Sequence, residues 1–163
     1  MYVTVHYSPF IADEANKRKQ SVAGSWRMDE IHIKVKGQWT YLYLAIDKYG
    51  STVDFMLSEH RDEVAATAFF KQAVDHNELP SKVVIDKKGA NNAGSENINI
   101  LIFLAGLLGF IDMLKVKYLN NIIEQDHRFI KKITKPMMGF KTFHSASATL
   151  AGIETAHMIS KGQ

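Results

Sequence analysis

The sequence predicts a mixed α/β fold, a three-stranded antiparallel meander followed by helices alternating with parallel strands. Three observations carry that reading. Between Ser25 and Leu57, runs rich in β-branched and aromatic residues are separated by the tight turns Lys36-Gly37 and Lys48-Tyr49-Gly50. From Arg61 to Asn77 the apolar spacing lengthens to that of a helix, with Ala66, Phe70, Ala73 and Val74 on one face. Past Pro80, the short continuous apolar run in SKVVIDKKGA has the pattern of a strand covered on both sides.

The first strand spans about Trp26 to Val35. Alternation puts Asp29 on one face with Ile31, Ile33 and Val35, and Glu30 on the other with Met28, His32 and Lys34. Asp29 is therefore expected on the buried side, with Glu30 as its exposed neighbour. Burying a carboxylate costs several kcal/mol unless a cation or donors meet it, so Asp29 needs a reason to be there. The second strand, Trp39 to Ile46, is apolar on both faces and is expected at the centre of the sheet. A third follows from Thr52 to Leu57. Asp62 and Glu63 open the first helix, where acids favour the amino-terminal end.

The strand before Lys87 ends at Asp86. The run INILIFLAGLLGFI, Ile98 to Ile111, is too short to cross a bilayer, which needs about 20 apolar residues, and is expected to be a buried helix. A short strand near Met113 to Val116, a polar-faced helix over Leu119 to Lys132 and a last helix from Ser145 to Ser160 complete the order, with Ser145 as the expected cap. This order is that of a ribonuclease-H-like mixed sheet.

With 163 residues the chain suits one domain, and with no cysteine it has neither disulfide nor thiolate chemistry. No targeting segment is assigned to MYVTVHYSPF, and a cytoplasmic protein is expected. Residues 113–163 hold eight Lys/Arg against three acids, whereas residues 40–112 hold six against ten. A basic third beside an acidic middle suits a polyanion handled at a carboxylate metal site, although a solvated helix face explains most such runs equally well.

Asp29, Asp86 and Glu124 lie at three separate points of that fold. Ligand crevices of α/β sheets lie beyond strand carboxyl ends, which is where Asp86 falls. If the first strand adjoins the Asp86 strand, two carboxylates converge, and a third from a covering helix completes an oxygen cage for magnesium or manganese. Two such ions can activate one oxygen and stabilise another in phosphodiester chemistry. His127, Arg128 and Lys131 follow Glu124 at i+3, i+4 and i+7 and share its helical face. A Glu124–Arg128 surface pair is the plainer alternative, and His127 reads as a capping or packing residue.

The blocks WRMDEIHIKVKGQWTYLYLAID, FMLSEHRDEVAATAFF, VVIDKKGAN, VKYLNNIIEQDHRFIKKITKPMMGF and ATLAGIE together resemble the catalytic domain of DDE transposases from small bacterial insertion sequences, the IS6 family. The resemblance runs from about Gly24 to the end. It implies a ribonuclease-H-like fold, and Asp29, Asp86 and Glu124 as both catalytic residues and metal ligands. It further implies two Mg2+ or Mn2+ ions, with attack first by water and then by a DNA 3′-hydroxyl, without a covalent enzyme–DNA intermediate. Lys131 takes the basic position seven after the Glu, and Arg128, Lys87 and Lys88 join it as DNA-binding residues. The implied partners are DNA, as terminal inverted repeats and target, and further copies of the chain; no membrane is involved, and the protein is nucleoid-associated when on DNA.

Two features depart from the family pattern. Only 28 residues precede Asp29, and HYSPFIADEANKRK resembles the linker that follows the family's helix-turn-helix region. Residues 1–23 are thus read as a linker remnant and residues 24–163 as the catalytic domain. In addition, 37 residues separate Asp86 from Glu124, a few more than the family usually shows. A catalytically silent remnant that binds DNA or full-length transposase is the alternative function.

Overall fold

Alternating side chains and glycine turns fold the first half of the chain into the expected meander. In the computed structural model, which describes residues 2–86, 112–116, 121–137 and 139–163, β1 (Ser25–Val35) pairs antiparallel with β2 (Gln38–Asp47), and β2 with β3 (Thr52–Ser58). On the other side of β1 lies β4 (Lys82–Asp86), parallel to it, and then β5 (Asp112–Val116), parallel to β4. The sheet order is β3-β2-β1-β4-β5. The strand with two apolar faces, β2, sits inside the sheet as its pattern requires. The helix expected over Ile98 to Ile111 and the loop at Asn91 to Gly94 lie outside the described residues.

Helices cover both faces. Helix α2 (Glu63–His76), capped by Asp62, lays Ala66, Phe69, Phe70 and Ala73 on Trp26, Met28, Tyr43 and Val83. The opposite face carries Ile31, Ile33, Leu42, Leu44 and Ile46, and meets Ile130 of α3 (Asn121–Thr134) with Ala146 and Leu150 of α4 (Phe143–Ser160). Each fully buried apolar side chain of this size stabilises the fold by about 1.5–3 kcal/mol, so the two-sided cover decides the architecture.

Two local expectations are corrected. Glu30 is not exposed: α2 and the segment before it cover that face, and its side chain is 18% exposed and ion-paired with Arg61. The cap of α4 is Thr142, whose hydroxyl accepts the Ser145 N–H at 3.1 Å, so the helix begins a turn earlier than Ser145 suggests. Before the sheet, helix α1 (Tyr2–Arg18) packs against α4 and carries the i,i+4 pairs Asp13–Lys17 and Glu14–Arg18. Among the described residues, no helix is long and apolar enough to cross a membrane.

Candidate active site

Strand β1 outruns its parallel neighbour. The β1–β4 register runs from Ser25↔Lys82 to Met28↔Ile85, so positions 29 and 86 come next on adjacent strands, where β4 stops. Neighbouring strands lie about 4.8 Å apart. The two aspartates that are 57 positions apart in sequence are thus brought side by side at the carboxyl end of β4. Asp86, described here by its backbone, also pairs with Val116 of β5. Asp29 has a side chain 28% exposed, and its Oδ1 accepts the Glu30 N–H at 2.8 Å. Lys87 and Lys88 lie outside the described residues.

Helix α3 crosses above this point. His127 Nε2 stands 3.7 Å from Asp29 Oδ2, so the helix face shared by Glu124 and His127 is turned toward β1. Glu124 lies in the first turn and is half-buried. Burial, aided by the nearby Lys131 charge, pushes the His127 imidazole down to about 4. It is therefore neutral near pH 7, and its buried Nε2 has no hydrogen-bond partner among the described residues. Read from sequence as packing, His127 stands at the site itself; its i+3 relation to Glu124 was the available signal. Arg128 and Lys131 on the same helix are exposed.

The opposite face of α3 is gripped by α4. Asp126 Oδ1 lies 2.7 Å from His157 Nε2 and 2.8 Å from Lys161 Nζ, and Phe129 stacks on the His157 ring at 4.0 Å. Lys161 also donates to the Gly50 carbonyl at 2.8 Å, tying the end of α4 to the β2–β3 turn. Asp126 follows Glu124 by two residues, about 200° around the helix at 3.6 residues per turn. Holding Asp126 toward α4 therefore sets the direction of Glu124. Glu154 is buried nearby, its carboxyl oxygens without a hydrogen-bond partner among the described residues, and burial, with Asp126 adding to it, pushes its carboxyl up to about 8.

Other buried acids have structural duties. Asp47 accepts the N–H groups of Ala23, Tyr49 and Ser51 at 2.9–3.0 Å and so organises the β2–β3 turn. Asp54 accepts from Phe55 N–H, Gln72 and His76. Asp29 differs in being partly open, in mid-β1 beside the carboxyl end of β4. Among the described residues no three metal-ligating side chains are gathered closely enough to hold an ion, and the Asp86 side chain lies outside that description. The donor set of positions 29, 86 and 124 is all carboxylate oxygen, which fits magnesium or manganese and not a soft metal.

A family model described as a DDE domain matches residues 23–163. The transposase for the insertion sequence-like element IS431mec of Staphylococcus aureus is 36% identical over 155 residues, covering 95% of this chain and 66% of that protein. The transposase for insertion sequence element IS257 in transposon Tn4003, also from Staphylococcus aureus, matches to the same extent. The chain thus spans just under two thirds of these relatives. Among solved structures, the HTLV-2 integrase catalytic core domain in complex with magnesium superposes with a TM-score of 0.57 at 15% identity, covering 83% of this chain and 86% of that one. The simian T-cell lymphotropic virus intasome, in complex with a PP2A regulatory subunit, gives 0.57 at 16% identity over 82% of this chain and 49% of that one. At such identities the likeness is one of fold, and the fold is ribonuclease-H-like.

Proposed function

The chain belongs to the DDE-domain family of insertion-sequence transposases, and from that premise we propose that it cleaves and joins DNA strands in a metal-dependent reaction, with Asp29, Asp86 and Glu124 as the metal-binding carboxylates. The observation that carries the reading is the register: β1 and β4 bring positions 29 and 86 side by side at a strand carboxyl end, and α3 docks there through His127. The HTLV-2 integrase core, a protein of the same fold, is described in complex with magnesium, which supports a divalent cation here.

Magnesium or manganese, two ions in the fullest form, would supply charge to stabilise the attacking and leaving oxygens of a phosphodiester. The protein's own residues do the rest. Asp29 and Asp86, at the next positions of adjacent strands, would offer two of the oxygen ligands. Glu124 is aimed by a helix that Asp126 clamps to α4 from the other side. His127, neutral at working pH, adds no positive charge that would compete with a cation at Asp29. Arg128 and Lys131, exposed on the same helix, would take DNA phosphates as charge-assisted partners, with Lys87 and Lys88 beside Asp86 in the same role. The DNA is that of terminal repeats and target, and the acting form is an oligomer.

The test is strand cleavage and transfer on DNA carrying cognate ends, with Mg2+ or Mn2+, for wild type and Asp86→Asn. Cleavage by wild type that falls to background in the variant and in metal-free buffer supports the reading. Equal products from both proteins would refute the assignment of Asp86, and salt-sensitive DNA binding with no cleavage by wild type would favour the silent remnant.

A further inference from the structure

The β1–β2 hairpin carries a surface that the proposed cleavage chemistry does not use. Beyond Asp29, β1 continues for six residues with no β4 partner. Its open edge is taken near the tip by the segment after α3: Phe140 bridges Val35, the Phe140 N–H donates to the Lys34 carbonyl at 2.9 Å, and the Lys36 N–H donates to the Phe140 carbonyl at 2.7 Å. Two stretches, residues 31–42 and 131–142, are thereby joined. Together they hold six lysines and no acid. Lys34, Lys36, Lys135 and Lys141 are all exposed.

An aromatic row stands on the hairpin. Trp39 is 57% exposed, with Lys34 Nζ 5.0 Å from its ring centroid. His32, exposed as well, lies 6.1 Å from Trp39 and 5.2 Å, edge to face, from Tyr41. An indole left in water beside a lysine is an unfavourable use of apolar area unless something covers it. Six lysines with no acid in the two stretches suit a polyanion; the acid nearest the row, Glu30, 3.8 Å from His32, is ion-paired with Arg61. A polyanion that also presents flat π-faces is a nucleic acid with unpaired bases; duplex DNA hides those faces within its stack.

We propose that the β1–β2 hairpin and the Lys135–Lys141 segment form a single-stranded DNA platform, in which the lysines hold phosphates and Trp39 stacks an unpaired base. It rests on the DNA-handling reading above and extends it: the aromatic row stands on the face of β1 opposite Asp29, so the platform would hold an unpaired strand that has passed over the sheet edge from the candidate active site. Lys34 lies five residues from Asp29 along one strand, about 17 Å at the usual rise.

The chain makes this measurable, because it has two tryptophans and Trp26 is 0% exposed. Oligothymidylate is titrated into the full chain without divalent metal, reading tryptophan emission and, with a labelled oligomer, anisotropy. Saturable quenching is expected in wild type and is expected to vanish in Trp39→Phe, which keeps a stacking ring and binds within a few-fold of wild type. Trp39→Ala is expected to weaken binding about tenfold. The pair Lys34→Gln with Lys36→Gln is expected to lower the slope of log affinity against log salt by about 1.4, at roughly 0.7 per single-strand phosphate contact. Undetectable binding, binding with unchanged Trp39 emission, or full affinity in Trp39→Ala would overturn the platform. A protein that cleaves cognate DNA but shows no Trp39 quenching refutes the platform and spares the enzymatic reading. One that quenches but never cleaves does the reverse.

Discussion

Glu154 offers a prediction with a worked magnitude. Its carboxyl is fully buried on α4, close to Asp126 and Lys161, with no hydrogen-bond partner among the described residues. Burial first, then the Asp126 charge, raise its pKa from 4.5 to about 8. A raised carboxyl means that the folded state holds a proton that the unfolded state releases. The stability tied to that proton is complete below pH 4.5 and is lost as pH climbs through about 8. Each pKa unit corresponds to about 1.4 kcal/mol, so the full window is worth up to about 5 kcal/mol. Between pH 5 and pH 7 the loss is about 2–3 kcal/mol. Glu154→Gln keeps the shape and removes the proton. Urea unfolding of both proteins at pH 5 and pH 7 should therefore show the variant gaining about 2–3 kcal/mol on wild type across that interval. Parallel pH dependences in the two proteins would refute the idea that residue 154 is protonated in the fold. Other titrating groups are common to both and drop out of the comparison.

Two further outcomes follow from the geometry around α3. Asp126→Ala leaves the largely buried His157 ring and Lys161 without their shared acceptor and is expected to cost about 1–3 kcal/mol, the penalty of a buried polar group that loses its partner; Asp126→Asn, which keeps one acceptor oxygen, should cost less, and a change below about 0.5 kcal/mol in the unfolding free energy would contradict the clamp. Gly139 has φ +95, and a Cβ there would lie 3.2 Å from the Lys34 carbonyl oxygen. Gly139→Ala is expected to destabilise by about 1–3 kcal/mol and to loosen the Phe140 bridge, seen as faster hydrogen exchange at the Lys36 and Phe140 amides; unchanged exchange would argue against strain at this residue.

Much of this was legible in local pattern. The meander follows from period-two alternation and from Lys36-Gly37, where both residues take positive φ. The interior place of β2, second in the sheet with β1 at the centre, follows from its two apolar faces, and the special position of Asp29 from one acid amid Ile31, Ile33 and Val35. What local pattern hides is what meets across distance. Asp126 lies 31 residues from His157 and 35 from Lys161, and nothing in their spacing announces the pairing. Glu30 reads as exposed because the strand cannot reveal that Arg61 will cover it. Helix α1 contains Pro9, a residue that removes a helical hydrogen bond and argues against a helix when read locally. Thr142 and Ser145 are both capping types, and only the backbone shows that Thr142 is the cap.

Shared cation binding by residues 29, 86 and 124 is most directly measured by titrating Mn2+ into the protein and following the free ion by electron paramagnetic resonance, with wild type beside Asp29→Asn, Asp86→Asn and Glu124→Gln. Wild type should take up the ion, and each substitution should weaken uptake at least tenfold, the least that losing even an outer partner of a metal site usually costs. Four superimposable isotherms, with all variants folded, would contradict a common metal site.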